Sequence, residues 1–301
     1  MYSSFEDIFQ EAKKQTPKKV AVVMAADPDL LEAISEAMKM NLIQPILIGP
    51  KEKILDIIKK WEREVEIIDC LAEDEAARKG VELIRDNKAS MIMKGKIKTG
   101  TFLKAIVDKK SGVSGGNILS HVLVFEKDNR LRIITDGGMI IAPDLKEKIS
   151  IINNSVRVAI SLGRKTPKVA PICAVETVND SMEATLDAAL LAKMNSRKQI
   201  KDCIIDGPLA LDNALSKKAA EHKGIKSDVA GDADILLVPD IEAGNILGKS
   251  VYYIAGCECA GMIAGPLCPV IMLSRADSPK TRLNSIALAM VCAKEGETDG
   301  K

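Results

Sequence analysis

Three observations predict an α/β protein with mostly parallel sheets. Short apolar, β-branched runs alternate with longer helical stretches, and strands separated by helices pair in parallel through right-handed crossovers. Aromatic residues make up only 3% of the chain, so the core has to be built from Ile, Val, Leu, Met and Ala, as in a buried parallel sheet wrapped by helices. At 301 residues the chain is long for one compact core and comfortable for two domains.

The elements follow in order. MYSSFEDIFQEAKKQTPKK reads as an amphipathic helix and lacks the long apolar core of a signal peptide. Lys18–Ala26 is a strand, and Asp27 and Pro28 suit the cap and first position of the helix after it. QPILIGP is a strand closed by Gly49-Pro50, KEKILDIIKKWERE a helix and VEIIDC a strand. AEDEAARKGVELIRDNK is a helix with Leu83 and Ile84 on its apolar side, and Ala89–Gly95 is a buried strand. Past residue 120 the pattern restarts with HVLVFE and LRIITD, a hairpin around the polar turn KDNR. LKEKISIINNSVRVAISLG is a helix ended by Gly163, PKVAPICAV a strand and SMEATLDAALLAKMNSRKQI a long helix. CIIDG, ADILLVPD and CPVIMLS are further strands, and a last helix runs from Pro279 to Ala293.

Several function classes drop out. A net charge of +1 and few aromatic stacking platforms argue against nucleic acid. No apolar run reaches the ~20 residues of a membrane span. The seven cysteines form no Cys-x-x-Cys pair, and the chain has only two histidines, His121 and His222. Cys257 and Cys259 lack a second ligand pair, so neither a metal site nor a disulfide framework is expected. Reduced, mostly buried thiols point to a cytoplasmic protein.

Ligands of open parallel α/β sheets bind at the carboxyl ends of strands, so each strand end is a candidate. After MIMKG, the residues Lys94, Gly95, Lys96 and Lys98 precede Thr99 and Thr101, either of which can cap a helix beginning near Phe102. Lysines, hydroxyls and a helix N-terminus together suit phosphate, whereas the plain alternative is a solvated basic turn. SGVSGGNILSHV places Gly112, Gly115 and Gly116 ahead of His121, which is either structural or catalytic. Asp136 ends a strand, and Gly137-Gly138 lets a ligand or another backbone come close. Asp206-Gly207-Pro208 ends another, with Asp212 beyond it. After Pro239-Asp240, the residues Glu242, Gly244 and Asn245 lead into a helix, and Asn245 offers both donor and acceptor. Ser274-Arg275 closes the last strand, with Asp277 or Ser278 as cap and Pro279 in the first helical position. A hydroxyl and a guanidinium fork at a helix start are the best candidate for stabilising a transition-state anion.

Taken together, these blocks resemble the phosphate butyryltransferase family. The stretches that carry the resemblance include MKGKIKTGTFLKAIVDKKSG, LSHVLVFE, PDLKEKISIINNSV, IDGPLALDNALSKKAAEHKG, VAGDADILLVPDIEAGN and SRADSPKTRLNSIALA, in order along nearly the whole chain. The resemblance implies a two-domain, three-layer α/β sandwich of the isocitrate/isopropylmalate dehydrogenase type. It implies domains at residues 1–122 plus 264–301 and at 123–263, with the active-site cleft between them, and a homodimer. It also implies a ternary-complex transfer of a short acyl group, butyryl first, between coenzyme A and inorganic phosphate. Coenzyme A is then a co-substrate, with no tightly bound cofactor. Ser274, Arg275 and Asp277 take the catalytic roles, while Lys94, Gly95, Thr99, Gly115, His121, Asp136, Gly137, Asp206, Gly244 and Asn245 hold phosphate or coenzyme A.

Two departures stand out. The aspartate that phosphotransacetylases use to deprotonate the thiol falls here on Thr281, and an Arg-Thr-Gly of many relatives is replaced around Val113-Ser114-Gly115. These departures keep a non-catalytic acyl-coenzyme A sensor open as an alternative, alongside a phosphate acetyltransferase and an acyltransferase acting on an acyl carrier protein. A dehydrogenase of the same fold is disfavoured, because no Gly-x-Gly-x-x-Gly follows a strand and no paired aspartates suggest a divalent metal.

Overall fold

The computed structural model describes residues 1–272 and 277–293. The chain divides into two compact units, one of Phe5–Leu119 with the stretch from Ala260 onward, the other of Met1–Ser4 with Ser120–Cys259.

The first unit opens with α1 (Phe5–Lys14), which buries Phe5, Ile8, Phe9 and Ala12 at helical spacing. Then come β1 (Lys18–Val23), α2 (Pro28–Lys39), β2 (Ile43–Gly49), α3 (Lys51–Ile58), β3 (Glu66–Asp69), α4 (Glu73–Arg85), β4 (Met91–Lys94) and α5 (Thr99–Val107). Asp27 caps α2 as expected, its carboxylate accepting from the Leu30 amide at 3.2 Å. Gly80 lets α4 lie on the sheet, since a Cβ there would stand 2.5 Å from Val23 Cγ2. α5 departs from expectation: it starts at Thr99, and its cap residue Lys98 makes no side-chain capping bond. Neither Thr99 nor Thr101 is a cap; both lie in the first turn.

The second unit begins with the antiparallel hairpin of β5 (Ser120–Glu126) and β6 (Leu131–Thr135), in which Leu123 faces Ile134 and Glu126 faces Leu131. Its turn holds Asp128 and Asn129 at φ +53°, a conformation that short polar side chains tolerate. There follow α6 (Leu145–Ser161), β7 (Lys168–Pro171), α7 (Glu183–Ser196), β8 (Ile204–Ile205), α8 (Leu211–Leu215), α9 (Lys217–His222), β9 (Ile235–Leu237) and α10 (Ile241–Lys249), which runs on into a π-helical turn at Ser250–Ile254. Asp144 and Glu147 form a full capping box on α6. Strand order is β5-β6-β9-β7-β8, parallel from β6 onward.

The chain ends with β10 (Glu258–Ala264), β11 (Val270–Met272) and α11 (Pro279–Cys292). The sequence reading takes no strand at β10, because its cysteines, Ala260, Gly261 and Ala264 carry little β signal. In the first unit the order is β3-β2-β1-β4-β11-β10, parallel except for β10 against β11. Both units are therefore mixed α/β with mostly parallel strands. Ser278 caps α11 by accepting from the Thr281 amide at 3.1 Å, and Pro279 sits in the first turn, so Asp277 is not the cap. At the other end of α11, the buried Lys18 ammonium donates to the carbonyls of Met290, at 3.0 Å, and Ala293. A cation there satisfies carbonyls that the helix itself leaves unpaired.

Candidate functional site

In the first unit the chain runs outward from β1 to β2 and β3, then returns to place β4 on the other side of β1. A crevice opens at the carboxyl ends of strands where the winding reverses in this way. A cavity of about 430 Å³ lies there, within the size range of small-ligand sites. Met24 and Ala26 come from just past the end of β1, Pro50 from just past β2, Lys53 from the first turn of α3 and Glu73 from the start of α4. Lys96, Ile97 and Lys98 come from the turn after β4. Three ammonium groups against one carboxylate make the crevice cationic, suited to phosphate oxygens. Met24 holds φ +55°, a left-handed conformation uncommon for a long apolar side chain.

The geometry of this turn differs from its sequence reading. Gly95 does not open the backbone to an anion. Its amide donates to Val23 O at 2.8 Å, and a Cβ would collide with the carbonyls of Val23 and Met24. The Lys96 amide donates to Met24 O at 2.8 Å, so the β4 turn is clamped onto β1. Glu73 Oε2 accepts from the Lys98 amide at 3.2 Å, so a protein carboxylate already sits at the start of α5. Lys94 Nζ donates to the Gly95 carbonyl at 3.3 Å. Lys96 and Lys98 line the cavity, and Lys53 and Glu73 join them. Sequence reasoning named neither Lys53 nor Glu73 as a site residue. Their signal was position alone, just past two other strand ends. Gly115 lies in the same unit at φ +60°, packed beside Leu267.

The candidates of the second unit gather at the carboxyl end of β6. Asp136 is buried, and its carboxylate accepts from the amides of His121 (3.1 Å), Gly138 (2.9 Å), Met139 (3.0 Å) and Ile140 (3.2 Å). Burial pushes its pKa up, against the pull of those four donors. Asp136 therefore organises its own loop. Gly137 and Gly244 face each other: a Cβ on Gly137 would stand 2.8 Å from the Gly244 carbonyl carbon, and one on Gly244 2.6 Å from Gly137 Cα. What these glycines admit is backbone, not ligand. α10 starts at Ile241 with Asp240 as cap, so Gly244 and Asn245 lie inside the helix and do not precede it. The exposed Asn245 amide reaches Gly137 O at 3.4 Å. Beside this loop, the partly buried His121 ring packs under Gly138, and burial lowers its pKa to about 4. The ring is therefore neutral near pH 7 and brings no positive charge to a phosphate. Asp206 stands apart from this cluster, at the end of β8, its amide 3.3 Å from Val169 O.

Ser274 and Arg275 lie outside the described residues. Asp277 is the described residue next to the cap of α11. Among the described residues, no group of three or more His, Cys, Asp or Glu is placed to hold a metal ion. Nor is any helix among them long and apolar enough to cross a membrane. Six of the seven cysteines are buried, and burial raises Cys173 and Cys203 to about 11 and Cys268 to about 12. Those thiols stay protonated at neutral pH and are poor acyl acceptors.

This fold is that of the phosphotransacylases. A branched-chain phosphotransacylase from Enterococcus faecalis superposes with a TM-score of 0.81 at 30% identity, over 92% of this chain and 99% of that one. The chain is 47% identical to a phosphate butyryltransferase of Clostridium acetobutylicum, over 97% of this chain and 99% of the relative. It is 46% identical to a phosphate acetyltransferase of Thermotoga maritima, over 92% and 95%. The family described as phosphate acetyl/butaryl transferase matches residues 59–290, and the chain belongs to that family. It is a transferase.

Proposed function

We propose that the protein is a short-chain phosphate acyltransferase that converts acyl-coenzyme A and phosphate to acyl phosphate and coenzyme A, with butyryl as the preferred acyl group. The near-full-length likeness to phosphate butyryltransferase carries this reading, and the lysine-lined crevice supports it with the charge that phosphate groups need. In the reverse direction, the coenzyme A sulfur attacks the acyl carbonyl of the acyl phosphate. A C–S bond forms, the C–O bond to phosphorus breaks, the thiol gives up its proton and phosphate leaves with the bonding pair. Both substrates are held together and no acyl-enzyme forms, in keeping with buried thiols of raised pKa.

Ser274 and Arg275 stabilise the charge that develops on the carbonyl and phosphate oxygens, and Lys96 and Lys98 hold phosphate oxygens. Coenzyme A is a substrate that comes and goes. The protein works in the cytoplasm as a homodimer, with the two-domain sandwich of the isocitrate/isopropylmalate dehydrogenase type, divided at residues 1–122 plus 264–301 and 123–263.

The test is turnover. Acetyl-, propionyl-, butyryl- and isobutyryl-coenzyme A are each mixed with phosphate and free thiol is followed. We expect release with all four and the highest kcat/KM with butyryl. Each methylene that the site buries adds about 0.8 kcal/mol, roughly fourfold. Ser274→Ala and Arg275→Ala should lose turnover while keeping their fold. Binding of butyryl-coenzyme A without thiol release would point to a sensor and sink the proposal. Acetyl outrunning butyryl would leave the reaction standing but replace the butyryl preference with that of the Thermotoga relative.

A further inference from the structure

One well-placed side chain of the second unit takes no part in the chemistry of Ser274 and Arg275. His121 stands at the start of β5. Because β5 runs antiparallel to β6, that start lies against the carboxyl end of β6, the edge where ligands of parallel strands bind. Its backbone is pinned on both sides: the amide donates to the Asp136 carboxylate at 3.1 Å, and the carbonyl accepts from the Thr135 hydroxyl at 2.9 Å. The other amides that Asp136 holds, those of Gly138, Met139 and Ile140, draw the loop against the ring. The fit is close, since a Cβ on Gly138 would stand 3.3 Å from His121 Cβ and 3.6 Å from Nδ1.

Nothing in the protein uses the ring nitrogens that this scaffold positions. Among the described residues neither has a hydrogen-bond partner, and neither is sealed from solvent. An apolar ring would fill the same place, so the nitrogens add only a group that a ligand can reach. No charged neighbour acts on the imidazole, and burial alone keeps it neutral. A neutral imidazole carries one N–H donor and one acceptor. Such a donor is poorly matched to dianionic phosphate and well matched to an oxygen that is uncharged at the outset and gains charge in the reaction. Nδ1 lies towards Gly138, which leaves Nε2 at the far end of the ring. We propose that His121 donates a hydrogen bond from Nε2 to the carbonyl oxygen of the acyl thioester. The contact rests on the acyl-transfer reading above. As an oxygen of hydrogen phosphate attacks the carbonyl carbon, the C=O pair moves onto the carbonyl oxygen and the hydrogen bond strengthens. The pair then returns, the C–S bond breaks, and the proton of the phosphate ends on the coenzyme A sulfur. His121 itself neither gains nor loses a proton.

The chain has only two histidines, so their ring resonances are readily told apart, with His222, exposed on α9, as the internal reference. In ¹⁵N-labelled full-length protein without phosphate, butyryl-coenzyme A should shift the His121 ring nitrogens. S-butyl-coenzyme A, which lacks only the carbonyl, should leave them nearly in place, and His222 should respond to neither. His121→Phe keeps a ring and loses the donor. Its kcat should fall about 100-fold, the usual effect of removing one donor from a developing oxyanion, with the inhibition constant of S-butyl-coenzyme A unchanged. His121→Gln, whose amide reaches near the place of Nε2, should recover to within about tenfold of wild type. A packing role alone predicts the reverse order, with Phe tolerated and Gln not. Equal ring shifts with both coenzyme A compounds, or a His121→Phe enzyme within about threefold of wild type, would overturn the hydrogen bond. Should His121→Phe not fold, the ring shifts decide. The expected shifts in a wild type that releases no thiol would sink the acyl-transfer reading and leave the contact to the carbonyl standing.

Discussion

Lys53, Lys96 and Lys98 show how a residue acquires its role from the place where its strand ends. None is special in its own segment, yet two strand ends deliver their ammonium groups to one cavity. A charge-assisted contact to a phosphate oxygen is worth roughly 1.5–3 kcal/mol when well formed. At this water-accessible crevice the low end applies, so Lys96→Ala and Lys98→Ala should each raise KM for coenzyme A or phosphate about tenfold. kcat should stay within a few-fold, since binding common to ground and transition states moves KM alone. The difference from wild type should narrow at high salt. Steady-state kinetics at two ionic strengths check this, and an unchanged KM would remove the lysines from the site. Glu73 already occupies the Lys98 amide, a contact invisible in sequence because 25 residues separate the partners. The same limit applies to Gly137 and Gly244. Either could be read as making room for ligand, and only their contact across the fold shows that each makes room for the other.

Among elements, helix starts were legible where the capping chemistry is local. Asp27 before Pro28, and Ser278, offered together with Asp277, before Pro279, lie within a few residues of the amides they serve. Thr99 was misread because a hydroxyl near a helix start satisfies the same pattern whether or not it points at an amide. The ion pair of α7 also escapes the sequence, since Lys148 and Asp187 are 39 positions apart. Asp187→Ala would leave the Lys148 ammonium buried and unpaired, a change that typically costs about 3–5 kcal/mol. The urea midpoint should fall sharply, whereas Lys148→Met combined with Asp187→Leu should recover most of the loss. If Asp187→Ala left the midpoint unchanged, the pair would not be what holds α7 to α6.

For the molecule as a whole, two strongly shifted groups contribute to the response to acid. His121 falls from 6.5 to about 4 because its ring is buried. A lowered folded pKa means that the unfolded chain binds the proton more readily. The stability it contributes is complete above pH 6.5 and lost as pH falls towards about 4, at most about 3 kcal/mol. Asp232 is partly buried, which by itself would raise it, but hydrogen bonds from Lys168 and Arg130 hold it down to about 2. Its contribution is present above 3.8 and fades as pH approaches about 2. Melting temperature against pH should therefore fall in two stages. His121→Gln should flatten the upper stage and leave the lower one in place, and an unaltered upper stage would mean that the imidazole does not control it.

By itself the sequence determined the α/β class, the order of nearly every element, some of the helix caps and the family. These depend on hydrophobic period, turn chemistry and short-range hydrogen bonds, all of which act within a few residues. Tertiary structure alone decided that β4 lies beside β1, that the small-residue segment 258–264 is a strand, and that Asp136 spends its oxygens on its own loop. It also decided which lysines share a cavity. The reason is physical: these outcomes depend on which distant backbones pack together, and packing reads the shape and spacing of surfaces that no local stretch of chain encodes.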